Sequence, residues 1–98
     1  MKVVTLSKST RTGKKWQVKI DGQTVHFGAD GYLDFTQQHG DSKRKKELYI
    51  QRHQKNENWN DLGTAGAWSR WLLWNQPTIQ GSIRDIERRF NIKIIYKK

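Results

Sequence analysis

Ninety-eight residues give room for one hydrophobic core and no second domain, so residues 1–98 are read as a single domain. Only 34% of them are hydrophobic, yet five Trp, three Tyr and three Phe supply large buried areas per residue, so the expected core is small and aromatic. Nineteen Lys and Arg against nine Asp and Glu leave a net charge of +10, which points to a polyanionic partner, and the absence of cysteine excludes disulfides, thiol nucleophiles and Cys-containing zinc sites.

Val3 to Ser7 reads as a first strand, joined by a polar Ser9 to Gly13 stretch to a hairpin. The hairpin strands, Trp16 to Ile20 and Gln23 to Phe27, flank Asp21-Gly22, a dipeptide suited to a two-residue type I′ turn. That register sets Trp16 against Phe27, Val18 against Val25 and Ile20 against Gln23, gathering the apolar side chains on one face. Gly28 to Gly40 is turn-rich and reads as an ordered loop around Tyr32, Leu33 and Phe35.

A helix capped by Asp41 or Ser42 is expected to run to about Gln54, although Lys and Arg at positions 43 to 46 put positive charge at the positive end of its dipole. Either that start is simply solvated, or it is a basic cluster that gains stability when an anion arrives. Asn56 to Gly63 reads as a connection anchored by Trp59. A second helix is expected from about Thr64 to Trp74, with Trp68, Trp71, Leu72 and Trp74 burying more than one face and Trp71 at the centre of the core. Pro77 and Thr78 then stop one helix and cap another, whose Ile79, Ile83, Ile86 and Phe90 form an apolar stripe. Asn91 ends it, and Ile92 to Tyr96 reads as a last strand beside Val3 to Ser7. The fold class is therefore α+β: an antiparallel sheet packed on about three helices.

The candidate nucleic-acid-binding residues are Lys43, Arg44, Lys45, Lys46, Arg52 and Lys55, with Arg84, Arg88 and Arg89 lying off the stripe of the third helix. On a helix, Lys45, Arg52 and Lys55, or Arg44 and Lys55, approach one face. Lys14 and Lys15 beside Trp16 form a second basic patch, read as a solubilising strand edge. The tryptophans of the second helix are assigned to packing rather than base stacking, and Trp59 is the one to test for an exposed role. His26, His39 and His53 with Asp30, Asp34 and Asp41 have no metal-binding spacing, and Walker A, HExxH and GxSxG motifs are missing. No enzyme activity and no cofactor are therefore expected. A small metal-dependent nuclease using His39, Asp41 and His53 stays as the catalytic alternative.

The runs Val25-His26-Phe27-Gly28, Gly31-Tyr32-Leu33-Asp34-Phe35-Thr36, His39-Gly40-Asp41, Tyr49-Ile50-Gln51-Arg52-His53 and Ala65-Gly66-Ala67-Trp68-Ser69-Arg70-Trp71-Leu72-Leu73-Trp74-Asn75-Gln76-Pro77-Thr78 carry a resemblance. Over about two-thirds of the chain, Val25 to Phe90, it resembles small proteins of unknown role encoded by large DNA viruses of algae and amoebae, with looser relatives in phages. This chain departs from their pattern by an extra residue near Gln37-Gln38 and another near Leu48. The resemblance implies a viral setting, in which a small basic protein without catalytic motifs is a genome-associated or virion component. The resulting expectation is a non-enzymatic protein that binds nucleic acid, DNA first and with little sequence specificity, through phosphate contacts. The alternative partner is a capsid protein, with this chain as a minor capsid or assembly protein docked on acidic shell surfaces. No apolar run approaches a membrane span and the N-terminus lacks a secretory signal, so the expected location is the virion or the host-cell interior, without membrane attachment.

Overall fold

The structure, a computed structural model, describes residues 2–29 and 42–97. Asp21 and Gly22 both adopt positive φ, 50° and 77°, the requirement of a type I′ turn. They join strands β2 (Lys14–Ile20) and β3 (Gln23–Ala29) in the expected register, Trp16 opposite Phe27 and Val18 opposite Val25. Strand β1 (Lys2–Lys8) pairs antiparallel with β2, completing the expected meander. The last strand, β4 (Ile92–Tyr96), does lie beside β1, but parallel to it, so the four-stranded sheet is mixed, in the order β3-β2-β1-β4. The helices between β3 and β4 act as a long crossover, which lets β4 enter the sheet in the same direction as β1. Gly28 and Ala29 extend β3; the rest of the expected aromatic loop lies outside the described residues.

One sheet face is apolar: Val4 and Leu6, Val18 and Ile20, Val25 and Phe27, Ile92 and Ile94 are all buried. On the other face Gln17 is buried as well, its side-chain oxygen accepting from the Thr10 amide at 3.1 Å and the Thr10 hydroxyl at 3.2 Å. There the polar connection after β1 folds back over the strands, and Ser9 Oγ meets His26 Nδ1 at 2.8 Å.

Helix α1 (Ser42–His53) follows the undescribed segment. Helix α2 (Ala65–Trp68) starts at Thr64, whose side chain accepts from the Ala67 amide, and widens into a π-helical turn over Ser69–Leu73 closed by the Trp74 amide on the Ser69 carbonyl, 3.1 Å. Helix α3 (Ile79–Phe90) is capped by Thr78, which accepts from the Gly81 amide at 3.0 Å, and stops at Asn91, left-handed at φ 54°.

Trp68 occupies the middle of the core, fully buried, stacked on Phe27 of the hairpin with ring centroids 6.0 Å apart and donating Nε1–H to the Leu62 carbonyl at 2.7 Å. Trp71, expected at that centre, is also buried, but it turns toward Phe90 and donates to the Trp59 carbonyl at 2.6 Å. The π turn is the reason: an extra residue in the turn rotates every following side chain off the 3.6-residue phase that the sequence pattern assumes. Of the expected stripe on α3, Ile86 is fully buried and Ile79, Ile83 and Phe90 pack at the margin of the core.

Helix α1 is held by a narrow stripe. Tyr49 is its one buried hydrophobic residue, with Lys46, Ile50 and His53 half-buried to either side, at helical spacing. The Tyr49 ring stacks on Trp74 at 4.8 Å and on His53 at 4.4 Å, with Trp59 parallel at 6.5 Å. Lys43, Arg44, Lys45, Glu47, Leu48, Gln51 and Arg52, around the rest of α1, are exposed.

Candidate functional site

Lys43, Arg44, Lys45 and Arg52 are exposed on α1, and Lys55 is exposed in the turn that follows the helix. Among the described residues no carboxylate lies within ion-pair distance of any of these five side chains, nor of Arg84, exposed on α3. Lys46 is different: it leans inward and donates Nζ–H to the Asn75 carbonyl at 2.7 Å. Arg88 and Arg89 are committed to Asp85, which is only 7% exposed and also accepts from Asn75 Nδ2 at 2.7 Å. Burial alone would raise the Asp85 carboxyl, but the bonds from Asn75 and Arg88 and the Arg89 charge outweigh it and hold it below the ordinary aspartate value.

The two expected basic groups, on α1 and on α3, are bridged by a residue outside the sequence-based set, Arg70. The π turn places it beside the Trp71 ring, 4.5 Å from guanidinium carbon to ring centroid, and 5.3 Å from that of Trp59. Arg89 lies 4.1 Å from the centroid of the same Trp71 ring. Arg70 donates to the Trp74 carbonyl at 2.7 Å, while its Nε is buried without a hydrogen-bond partner among the described residues. Burial and then the nearby Arg89 charge hold Arg70 below the ordinary arginine value; burial and then Arg70 do the same to Lys46. Positive charge is thus concentrated at a partly desolvated place where α1, the π turn and α3 meet. A lone arginine inside the run Trp68 to Trp74 was the available signal for it.

The segment Asn75 to Thr78 makes that junction rigid. Gln76 donates its backbone N–H to Ser82 Oγ at 3.1 Å and its side-chain amide to Asn75 Oδ1 at 3.2 Å, and Asn75 in turn holds Lys46 and Asp85. Between this segment and α1 opens a cleft of about 530 Å³ lined by Lys43, Lys46, Glu47, Ile50, Arg70, Asn75, Gln76 and Pro77.

A second hollow, about 320 Å³, opens between the open end of the β2–β3 hairpin and α1 beside Lys15, Tyr49, His53, Glu57, Gly66 and Trp74. Here His53 Nδ1 lies 3.2 Å from Glu57 Oε1, which also accepts from Trp59 Nε1 at 3.3 Å. The Glu57 carboxylate packs so closely on Gly66 that no Cβ fits there without moving it. His53 is therefore tied into an aromatic and carboxylate frame that docks α1. Among the described residues no group of three or more His, Cys, Asp or Glu is arranged to hold a metal ion. His39 and Asp41, its partners in the nuclease alternative, and Asp30, Asp34 and Tyr32 lie outside the described residues. Trp59, the candidate for an exposed role, is half-buried between Tyr49 and Arg70.

The fold and its surface define a two-layer α+β domain, a mixed sheet with helices on one face, that exposes a cationic helix beside a cationic cleft. The chain belongs to a family of unknown function, DUF5754, matched over residues 4–53. The match covers β1 from Val4 onward, then β2, β3 and α1, so it includes the basic face of α1 but not Arg70 or the opposite wall of the cleft. No curated protein and no solved structure matches the chain. No described helix is long and apolar enough to cross a membrane.

Proposed function

We propose that this domain is a non-catalytic nucleic-acid-binding protein that grips phosphates, with DNA as its first partner and little base readout. The observation that carries the reading is α1: Lys43, Arg44, Lys45 and Arg52 stand in solvent with no ion-paired carboxylate among the described residues, on a helix whose first turn has no acidic residue. Such a start repels the helix dipole and is relieved by an anion, so binding and helix stability support one another. Arg84, exposed on α3, extends the positive surface, while Arg88 and Arg89 serve Asp85 and act at longer range.

From its resemblance to virus-encoded proteins, the setting we propose is a viral genome, in the virion or in the infected cell. Docking on an acidic capsid surface would use the same charges but needs a desolvated apolar anchor. Trp59 already has Tyr49 and Arg70 packed on it, which favours the phosphate reading. Fluorescence anisotropy of a labelled duplex tests the proposal: affinity should fall tenfold or more between about 50 and 200 mM salt as counterions are released. No binding at the lower salt would refute it.

A further inference from the structure

We infer that the free edge of β3 is an interface, and that its occupant is β3 of a second copy of this chain, paired antiparallel across a two-fold axis. β3 and β4 are the outer strands of the sheet, and they end it in opposite ways. On β4 the outward amide of Ile94 donates to Glu87 Oε2 of α3 at 2.9 Å, and Lys93 puts a charge in the strand, so both a helix side chain and a cation obstruct a further strand. β3 has neither protection. Its register with β2 turns the main-chain groups of Gln23, Val25 and Phe27 toward β2 and those of Thr24 and His26 outward. Among the described residues nothing bonds to those outward groups. The strand Gln23–Ala29 contains no Lys, Arg, Asp, Glu or Pro, whereas β1, β2 and β4 each carry lysine.

A second copy suits this edge on grounds of symmetry and charge. A strand laid antiparallel on itself presents the same donors and acceptors from both sides, which closes a two-fold interface. The absence of formal charge on β3 lets two molecules of net charge +10 meet there without like charges facing one another. Gly28, at φ 80°, leaves the extended conformation, so the straight part of the edge runs from Gln23 to Phe27 with Val25 at its midpoint. Pairing centred on Val25 sets Thr24 of each copy opposite His26 of the other, each pair exchanging both main-chain hydrogen bonds and joining the two sheets into one. The Val25 side chain is already buried in the core of its own copy, so main-chain bonds rather than new apolar burial hold the copies together. Such an interface is weak on its own. A dimer carries two α1 helices, so a polyanion that engages both strengthens it.

The test is sedimentation velocity of the whole chain over a series of concentrations, combined with amide hydrogen exchange followed by NMR. The parent should pass from monomer to dimer as concentration rises, and the dimer should tighten between about 50 and 500 mM salt, because two strongly positive molecules repel less when screened. The Thr24 and His26 amides should gain protection in step with the dimer. Thr24→Pro, which removes an outward donor and no bond to β2, should weaken the dimer about tenfold or more. Thr24→Lys, on an exposed side chain, keeps the donor and sets a cation on each side of the axis; it should weaken the dimer at low salt and less at high salt, and it carries the test should proline disturb the strand. Both variants should keep the parent's circular dichroism spectrum. A parent that stays monomeric at every concentration would overturn the inference. A dimer indifferent to Thr24→Lys would also overturn it, by placing the interface elsewhere. Protection of Thr24 and His26 that does not change with concentration would overturn it by assigning the edge to the same molecule. No nucleic acid is present, so each of these outcomes leaves the proposed function to its own test.

Discussion

Replacing Trp68 by alanine removes the largest fully buried side chain of the protein. Truncating a buried aromatic costs about 3 to 5 kcal/mol in lost transfer energy and residual cavity. The partly buried Leu62 carbonyl, which accepts the Trp68 Nε1–H at 2.7 Å, also loses its partner, adding up to about 1 kcal/mol. Domains of this size are stable by about 5 to 15 kcal/mol, so Trp68→Ala should be largely unfolded at 37 °C or melt far below the parent. Urea titration followed by far-ultraviolet circular dichroism measures the loss, with Leu48→Ala, on an exposed side chain, as a control expected within about 0.5 kcal/mol of the parent. A Trp68→Ala midpoint equal to that of the control would refute the placement of Trp68 at the middle of the core, and with it the seating of α2 on the hairpin.

Asp85→Asn keeps an acceptor for Asn75 but strips the charge that Arg88 and Arg89 pair with. Because both arginines are substantially solvated, the expected loss at pH 7 is about 1 to 2 kcal/mol rather than the full cost of breaking a buried pair. The Asp85 carboxyl is held below its ordinary value in the folded state, so its stabilisation is present above about pH 4 and is lost as pH falls through the folded-state value. The stability curves of parent and variant should therefore converge in acid; a constant difference down to pH 2 would refute the assignment. Gly22→Ala should cost about 1 to 2 kcal/mol from its left-handed φ of 77° alone, since no neighbouring atom meets the added methyl, and an unchanged urea midpoint would argue against the type I′ turn.

Local rules made most of the fold legible. Asp21-Gly22 set the hairpin and its register, Thr64 and Thr78 marked two helix starts, and the β-branched run from Ile92 marked the last strand. The direction of β4 was not legible, because it depends on how the helices return the chain to the sheet rather than on anything within Ile92 to Tyr96. The central position of Trp68, where Trp71 was expected, has the same character: a regular helix was assumed, and the π turn after Trp68 changed the phase at Trp71. At the candidate site, the exposed cations of α1 could be read as a run of like charge, whereas Arg70 and Asp85 acquire their meaning from contacts across three elements. The Asp85 pairs with Arg88 and Arg89 were within reach, being three and four residues apart on one helix.

The central claim is that α1 holds nucleic-acid phosphates with side chains that have no other task. Its most direct test is the salt dependence of duplex affinity for the parent and for the triple variant Lys43→Gln, Arg44→Gln, Lys45→Gln, all three on exposed side chains. Each phosphate contact adds about 0.9 to the slope of log affinity against log salt, so the variant should bind more weakly and lose about 2 to 3 units of slope while keeping the parent's circular dichroism spectrum. An identical slope in a folded variant would place the phosphates elsewhere and contradict the account.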